Sequence, residues 1–166
     1  MAESKPTAYI ETTIPSYLTA WPSRELTMAS QQLCTKEWWK TAMQRYELLI
    51  SATVLDEASR GDPDDASRRM AELATIPLLP EDPRVISIAT EYVAVLALPR
   101  DAQADAVHLA NAVIFELDYL VTWNMRHLAN SLTMRKVTAY NKDRSLWTPL
   151  IVTPQYLLDL EQQEQP

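Results

Sequence analysis

The sequence predicts an α/β protein with a three-layer α/β/α fold, in which a short central parallel sheet carries helices on both faces. Short β-prone runs alternate along the chain with one or two segments of helical period, and this alternation is typical of a parallel sheet covered on both sides. Proline separates the elements, since the chain holds eleven prolines and a single glycine. Turns that require glycine are therefore expected to be rare.

Length and composition predict a single domain. The chain has 166 residues, of which 47% are hydrophobic, enough for a substantial core. We expect the domain to span residues 8–158, with an N-terminal tail over residues 1–7 and a polar C-terminal tail over residues 159–166. No apolar run approaches the roughly 18 residues of a membrane span, and residues 1–7 lack a signal-peptide core. The single cysteine, Cys34, cannot form an internal disulfide. These observations favour a cytoplasmic protein with no membrane partner.

The charge of the chain bears on its partners. A formal net charge of −7 argues against a broad electrostatic attraction to nucleic acid. Carboxylates grouped around a divalent metal ion make a chain acidic, however, while the ion creates positive charge at one point. A local cation site that contacts nucleic acid is therefore compatible with the composition.

Six β-prone runs are candidates for strands. The first ends just before Glu11, and the fourth ends just before Trp123 and Asn124. The third run is enclosed by Pro77 and Pro80. The six runs cover residues 8–10, 48–51, 76–79, 119–122, 137–140 and 150–152.

Apolar residues at spacings of three and four predict helices between these runs. Asp101 is the expected N-cap of the helix that precedes the fourth run, because Pro99 disfavours helix at Leu98 and an aspartate accepts hydrogen bonds from amides at a helix start. The predicted helical segments are residues 25–47, 53–58, 64–74, from 82 to before Pro99, from 101 to about 117, and a turn or short helix over 125–133.

Asp105 lies at the margin of the apolar stripe of its predicted helix, aligned with Asp101 and His108. A carboxylate beside a buried face is costly unless something pairs with it. A helix cap, a cation or a metal ion would serve, and so would an ion pair with Arg100 or Arg126. Asp105 and His108 form an Asp-x-x-His pattern that resembles a metal-binding pair. A histidine at such a position is more often packed in the core and hydrogen-bonded.

Four acidic or amide residues from distant segments are expected to meet at one edge of the sheet. Glu11, Glu57 and Asn124 fall at or shortly after predicted strand ends, and Asp105 lies in the helix before the fourth strand. In parallel sheets, sites form beyond the carboxyl ends of the strands. Hard oxygen ligands that leave positions for water suit Mg²⁺ or Mn²⁺. Taken alone, Glu57 is equally well explained as a solvated helix residue.

Four stretches of the sequence resemble the PIN-domain family, and in particular the VapC-like ribonuclease toxins of bacterial toxin–antitoxin systems. These stretches span nearly the whole of residues 8–158 and read YIETTIPSYL, LLISATVLDEASRGD, LPRDAQADAVHLANA and LDYLVTWNMRHLAN. The resemblance implies a metal-dependent endoribonuclease, the toxin of a type II system, that hydrolyses RNA phosphodiester bonds. It also implies an RNA substrate, a cognate antitoxin protein and a homodimer.

The resemblance implies that Glu11, Glu57, Asp105 and Asn124 are the catalytic residues and the ligands of Mg²⁺ or Mn²⁺. Two of them depart from the family pattern: Glu11 stands where the family has aspartate, and Asn124 replaces a charged ligand with a neutral one. Three carboxylates suffice for one ion, and a second ion would be held loosely. The alternative interpretation is a catalytically weakened PIN-like binding module with no nuclease activity.

Residues beside the four ligands are candidates for contact with the substrate. Thr12, Thr13 and Thr122 are expected to orient carboxylates or bind water near the metal, although β-propensity explains them nearly as well. Arg126 and His127 follow the fourth strand, where they would reach a phosphate group. Thr12, Thr122 and Arg126 are therefore our predicted substrate-binding residues.

Overall fold

The computed structural model describes residues 4–163 and confirms the predicted fold class. A four-stranded, all-parallel sheet forms its centre, with the strand order β2-β1-β3-β4, and helices cover both faces. The strands are β1 (Thr7–Ile10), β2 (Glu47–Leu49), β3 (Tyr119–Val121) and β4 (Leu150–Val152).

Eight α-helices lie within residues 4–163. Two of them begin at an Asp-Pro pair: the side chains of Asp62 and Asp82 accept hydrogen bonds from amides of the first turn, and the following proline fits a position where no amide donor is needed. The helices are α1 (Thr13–Thr19), α2 (Leu26–Arg45), α3 (Ala52–Ala58), α4 (Pro63–Leu73), α5 (Pro83–Leu96), α6 (Gln103–Ile114), α7 (Ser131–Asp143) and α8 (Pro154–Gln163).

Two of the six predicted strands are corrected by the structure. Residues 76–79 form a single bridge, between Ile50 and Leu78, because Pro77 has no amide hydrogen and Pro80 follows directly. Residues 137–140 lie inside α7. Val137 and Tyr140 are buried while the two residues between them are exposed, which is a helical pattern of burial that outweighs their β-propensity.

The start of α6 also differs from the prediction. Asp101 lies within a short 3-10 helix, Arg100–Ala102, and makes no cap; α6 begins at Gln103 without a side-chain cap. The helix is instead anchored by burial, since seven of its twelve residues are buried. Tertiary packing thus stabilises this helix in place of a side-chain cap.

Both predicted tails overlap the folded structure, and residues 1–3 and 164–166 lie outside the described part of the chain. β1 begins at Thr7, and α8 continues to Gln163. Glu161, expected in a frayed segment, is buried: its Oε1 accepts a hydrogen bond from the Tyr46 hydroxyl at 3.2 Å and lies 3.4 Å from Nε of Arg45.

The core lies between the sheet and the helices, and both the two central strands and the helices contribute side chains to it. Ile10 of β1 and Leu120 of β3 are completely buried, and so are Trp38 of α2, Tyr92 of α5 and Leu109 of α6. Within the described residues, no helix combines the length and the apolarity needed to cross a membrane.

We expect Glu161→Ala to lower the free energy of unfolding by about 1–3 kcal/mol, because the buried Tyr46 hydroxyl loses its acceptor. Urea unfolding followed by circular dichroism measures the change. Gln162→Ala, at an exposed position of the same helix, is the matched control and should stay within about 0.5 kcal/mol of the wild type. Equal stability of the wild type and Glu161→Ala would show that α8 is not held by this contact.

Candidate metal centre

The predicted site residues lie at the carboxyl ends of the strands. Glu11 directly follows β1, Glu57 belongs to α3 after β2, and Asn124 comes shortly after β3. Asp105 and His108 face the same region from α6, one helical turn apart. Because β1 pairs with both β2 and β3 in parallel register, the three strand ends meet at one edge of the sheet.

Glu11 is almost completely buried, with 4% of its surface exposed. Its Oε2 accepts three hydrogen bonds: from the amide of Thr13 at 3.1 Å, from the Thr13 hydroxyl at 2.5 Å and from the Thr122 hydroxyl at 2.7 Å. Its Oε1 makes no hydrogen bond within residues 4–163 and lies 3.9 Å from Nε2 of His108. One oxygen is therefore held in place, and the other is available to a ligand.

Glu57 is arranged in the same way. Its Oε1 accepts hydrogen bonds from the Thr12 hydroxyl at 2.8 Å and from Nε2 of His108 at 2.6 Å. Its Oε2 has no hydrogen bond in the described part of the chain. Burial raises the pKa of the Glu57 carboxyl, but the hydrogen bonds and the charge of His108 outweigh burial and lower that pKa below its ordinary value.

His108 is completely buried, and both of its ring nitrogens are hydrogen-bonded. Nε2 contacts Glu57, and Nδ1 lies 2.8 Å from the hydroxyl of Tyr9, which lies 2.6 Å from Oγ of Ser51. Burial lowers the pKa of His108, but the hydrogen bond to Glu57 and the charges of Glu11, Glu57 and Asp105 together raise it above its ordinary value. The negative charges of the buried Glu11 and the partly exposed Glu57 thus favour the protonated form of the imidazole.

Glu11, Glu57 and His108 form a cluster that could hold a metal ion, because one ligand atom from each lies within 4.8 Å of the other two. The oxygens Oε1 of Glu11 and Oε2 of Glu57 suit a hard cation such as Mg²⁺ or Mn²⁺. His108 would bind an ion only after Nε2 gives up its proton and its bond to Glu57. The donor set therefore fits an oxygen-bound divalent ion, with His108 orienting a ligand.

Asp105 and Asn124 lie around a different residue, His127. Oδ2 of Asp105 lies 2.7 Å from Nδ1 of His127, and Oδ1 of Asn124 accepts a hydrogen bond from the amide of His127 at 3.0 Å. The observed hydrogen-bond partner of Asp105 is thus His127, and no ion pair with Arg100 or Arg126 is seen in residues 4–163. Of the four predicted ligands, Glu11 and Glu57 belong to the compact cluster, and Asp105 acts on it through the effect of its charge on His108.

Two of the three predicted substrate-binding residues contact these acids directly. Thr12 and Thr122 donate their hydroxyls to Glu57 and Glu11, and Oγ of Thr122 also accepts the amide of Asn124 at 2.9 Å. Arg126 is exposed in the turn that follows β3. Contact of these residues with a substrate stays a prediction.

Sequence reasoning missed the support behind the cluster. The Tyr9 hydroxyl holds His108 from the side away from Glu57, and Ser51 in turn bonds to that hydroxyl. A tyrosine in a short, otherwise apolar central strand is the available signal, because a buried phenol needs a polar partner.

Comparison with family models finds no match to this chain, and comparison with curated proteins finds none either. A functional assignment therefore depends on the residues and their arrangement.

We expect the Glu57–His108 pair to stabilise the metal-free protein most between about pH 4.5 and pH 6.5, the ordinary pKa values of the two groups. The pKa of Glu57 is lowered, so its contribution is lost as the pH falls through that lowered value. The pKa of His108 is raised, so its contribution is lost as the pH rises through that raised value. Glu11, Asp105 and Tyr9 are the other titratable groups that face the imidazole.

Urea unfolding of the wild type and Glu57→Gln, in a metal chelator across this range, measures the effect. The difference in stability should be largest inside the window and shrink on both sides. A difference that does not vary with pH would contradict the pairing.

Proposed function

We propose that this protein is a metal-dependent endoribonuclease that hydrolyses phosphodiester bonds in RNA with Mg²⁺ or Mn²⁺. One observation carries the proposal: Glu11 and Glu57, from separate segments, converge at the carboxyl end of the sheet, each with one oxygen fixed and the other unbonded within the described residues. RNA as the substrate comes from the resemblance to the PIN-domain family.

The carboxylates of Glu11, Glu57 and Asp105 would hold the ion. Each has one oxygen tied to a donor, so each would offer the other: Oε1 of Glu11, Oε2 of Glu57 and Oδ1 of Asp105. When bound, the ion lowers the pKa of a water molecule and offsets charge on the attacked phosphate. Glu57 and Asp105, partly exposed at 29% and 14% of their side chains, would accept the proton that the water loses.

The surrounding residues orient these acids and receive the substrate. Thr13 and Thr122 hold Glu11 against the strand ends, and Thr12 and His108 hold Glu57. Arg126, exposed in the turn that follows β3, would contact a phosphate of the RNA and offset its charge.

We extend the proposal to the biological role that the resemblance implies: the toxin of a type II toxin–antitoxin system in the cytoplasm, acting as a homodimer and neutralised by a cognate antitoxin protein. The resemblance implies that a segment of that antitoxin would insert into an acidic groove of the protein. Growth arrest on expression, relieved by co-expression of the product of an adjacent gene, tests this role.

A catalytically weakened PIN-like binding module is the second candidate. The structural observation that favours it concerns Asn124, whose amide oxygen already accepts a hydrogen bond from His127 and is neutral. A site with fewer charged ligands holds a divalent ion more weakly. Calorimetric titration with Mn²⁺ separates the two candidates. A binding module that has lost nuclease activity should show no saturable binding of Mn²⁺.

We expect the wild type to cleave single-stranded RNA in the presence of Mn²⁺ and Glu57→Gln to cleave it about 100-fold more slowly, because the variant loses a charged ligand. The rate of cleavage of a labelled RNA measures the effect. Asp56→Asn is the matched control: Asp56 is the adjacent acid but is exposed and paired with Arg60, so its rate should equal that of the wild type. Equal cleavage by Glu57→Gln, or cleavage that a chelator leaves unchanged, would overturn the proposed function.

A further inference from the structure

The turn after β3 holds a second acid–imidazole pair beside the metal cluster. Oδ2 of Asp105 and Nδ1 of His127 are 2.7 Å apart, and the two side chains are 14% and 20% exposed. The hydrogen of Nδ1 lies between these atoms, because a bare ring nitrogen would set a lone pair against a carboxylate oxygen. His127 therefore donates and Asp105 accepts.

The main chain of His127 is held from both sides. Its amide donates to Oδ1 of Asn124 at 3.0 Å, and its carbonyl oxygen accepts the hydroxyl of Thr133 at 2.8 Å. The carbonyl oxygen of Asn124 accepts two further amides of the same turn, those of Leu128 at 3.0 Å and Ala129 at 2.8 Å. Leu128 is completely buried, so the turn is anchored in the core and its imidazole is directed at α6.

We infer that His127 is a positioning residue for the metal ligand Asp105 and that Asn124 acts through His127 rather than as a ligand. His127 fixes Oδ2 of Asp105 and leaves Oδ1 for the ion. Asn124 uses its side-chain and main-chain oxygens to form the turn that presents the imidazole. This inference rests on the proposed function, because it requires a metal ion at the cluster.

The same plan is visible at the other two acids. Threonine donors fix one oxygen of Glu11, and Thr12 with His108 fixes one oxygen of Glu57. Hydrogen-bonded ligands of this kind bind metals more tightly, since the orientation of the carboxylate is set before the ion arrives. His127 supplies to Asp105 the donor that the threonines and His108 supply to the glutamates.

Calorimetric titration with Mn²⁺ tests the role of His127. His127→Phe keeps a ring and removes the donor, and we expect it to weaken Mn²⁺ affinity about 10- to 100-fold. His127→Asn places an amide nitrogen near the position of Nδ1, so it should retain most of the affinity. His127→Ala repeats the test without adding bulk if phenylalanine disturbs the turn.

A double-mutant cycle tests the role of Asn124. If Asn124 acts through His127, Asn124→Ala should weaken Mn²⁺ affinity in the wild type and change it little in His127→Phe. If Asn124 is itself a ligand, its removal should have the same effect in both backgrounds, and that result would overturn this part of the inference.

The outcomes separate the inference from the proposed function. Unchanged Mn²⁺ affinity in a folded His127→Phe variant, beside a wild type that binds the ion, would overturn the inference alone. A wild type that binds no Mn²⁺ would overturn the proposed function and the inference together. A loss of stability without a loss of affinity would assign His127 a purely structural role.

Discussion

The buried charge of Glu11 is the constraint on which the arrangement of this sheet edge depends. A carboxylate with 4% exposure costs several kcal/mol unless donors and a positive charge compensate it. Thr13 and Thr122 supply three hydrogen bonds to one oxygen, and His108 lies beside the other. The parallel pairing of β1 with β3 brings Thr122 within reach, and the burial of α6 brings His108.

A second layer of contacts fixes the groups that compensate this charge. The Tyr9 hydroxyl, itself bonded to Ser51, contacts one ring nitrogen of His108, and Glu57 accepts a hydrogen bond from the other. Such a network is rigid only when each member is satisfied. At Glu11 and Glu57 one carboxylate oxygen is satisfied and the other makes no hydrogen bond in the described residues, so each acid keeps an oxygen for an ion.

The sequence predicted the fold class and the meeting of Glu11 and Glu57, because strand alternation and the topology of parallel sheets determine both. It did not show that His108 lies inside the cluster or that Asp105 contacts His127. Helical periodicity places two residues on one face of a helix but does not show how deeply each is buried or which residue it contacts. Val137 and Tyr140 are β-prone yet helical, since tertiary burial outweighs local preference. Burial of Glu161 depended on Tyr46, 115 positions away, a contact that no local pattern reveals.

The strands are short, and main-chain and side-chain hydrogen bonds continue their pairing beyond the last regular residues. The amide of Glu11 bonds to the carbonyl of Val121, and the amide of Trp123 bonds to the hydroxyl of Thr13. The segments that follow the two central strands are thereby bonded to each other beyond the end of the sheet. The backbone that carries Glu11 and the backbone that leads to Asn124 are consequently one connected unit, so a substitution at Thr13 would affect both sides of the cluster.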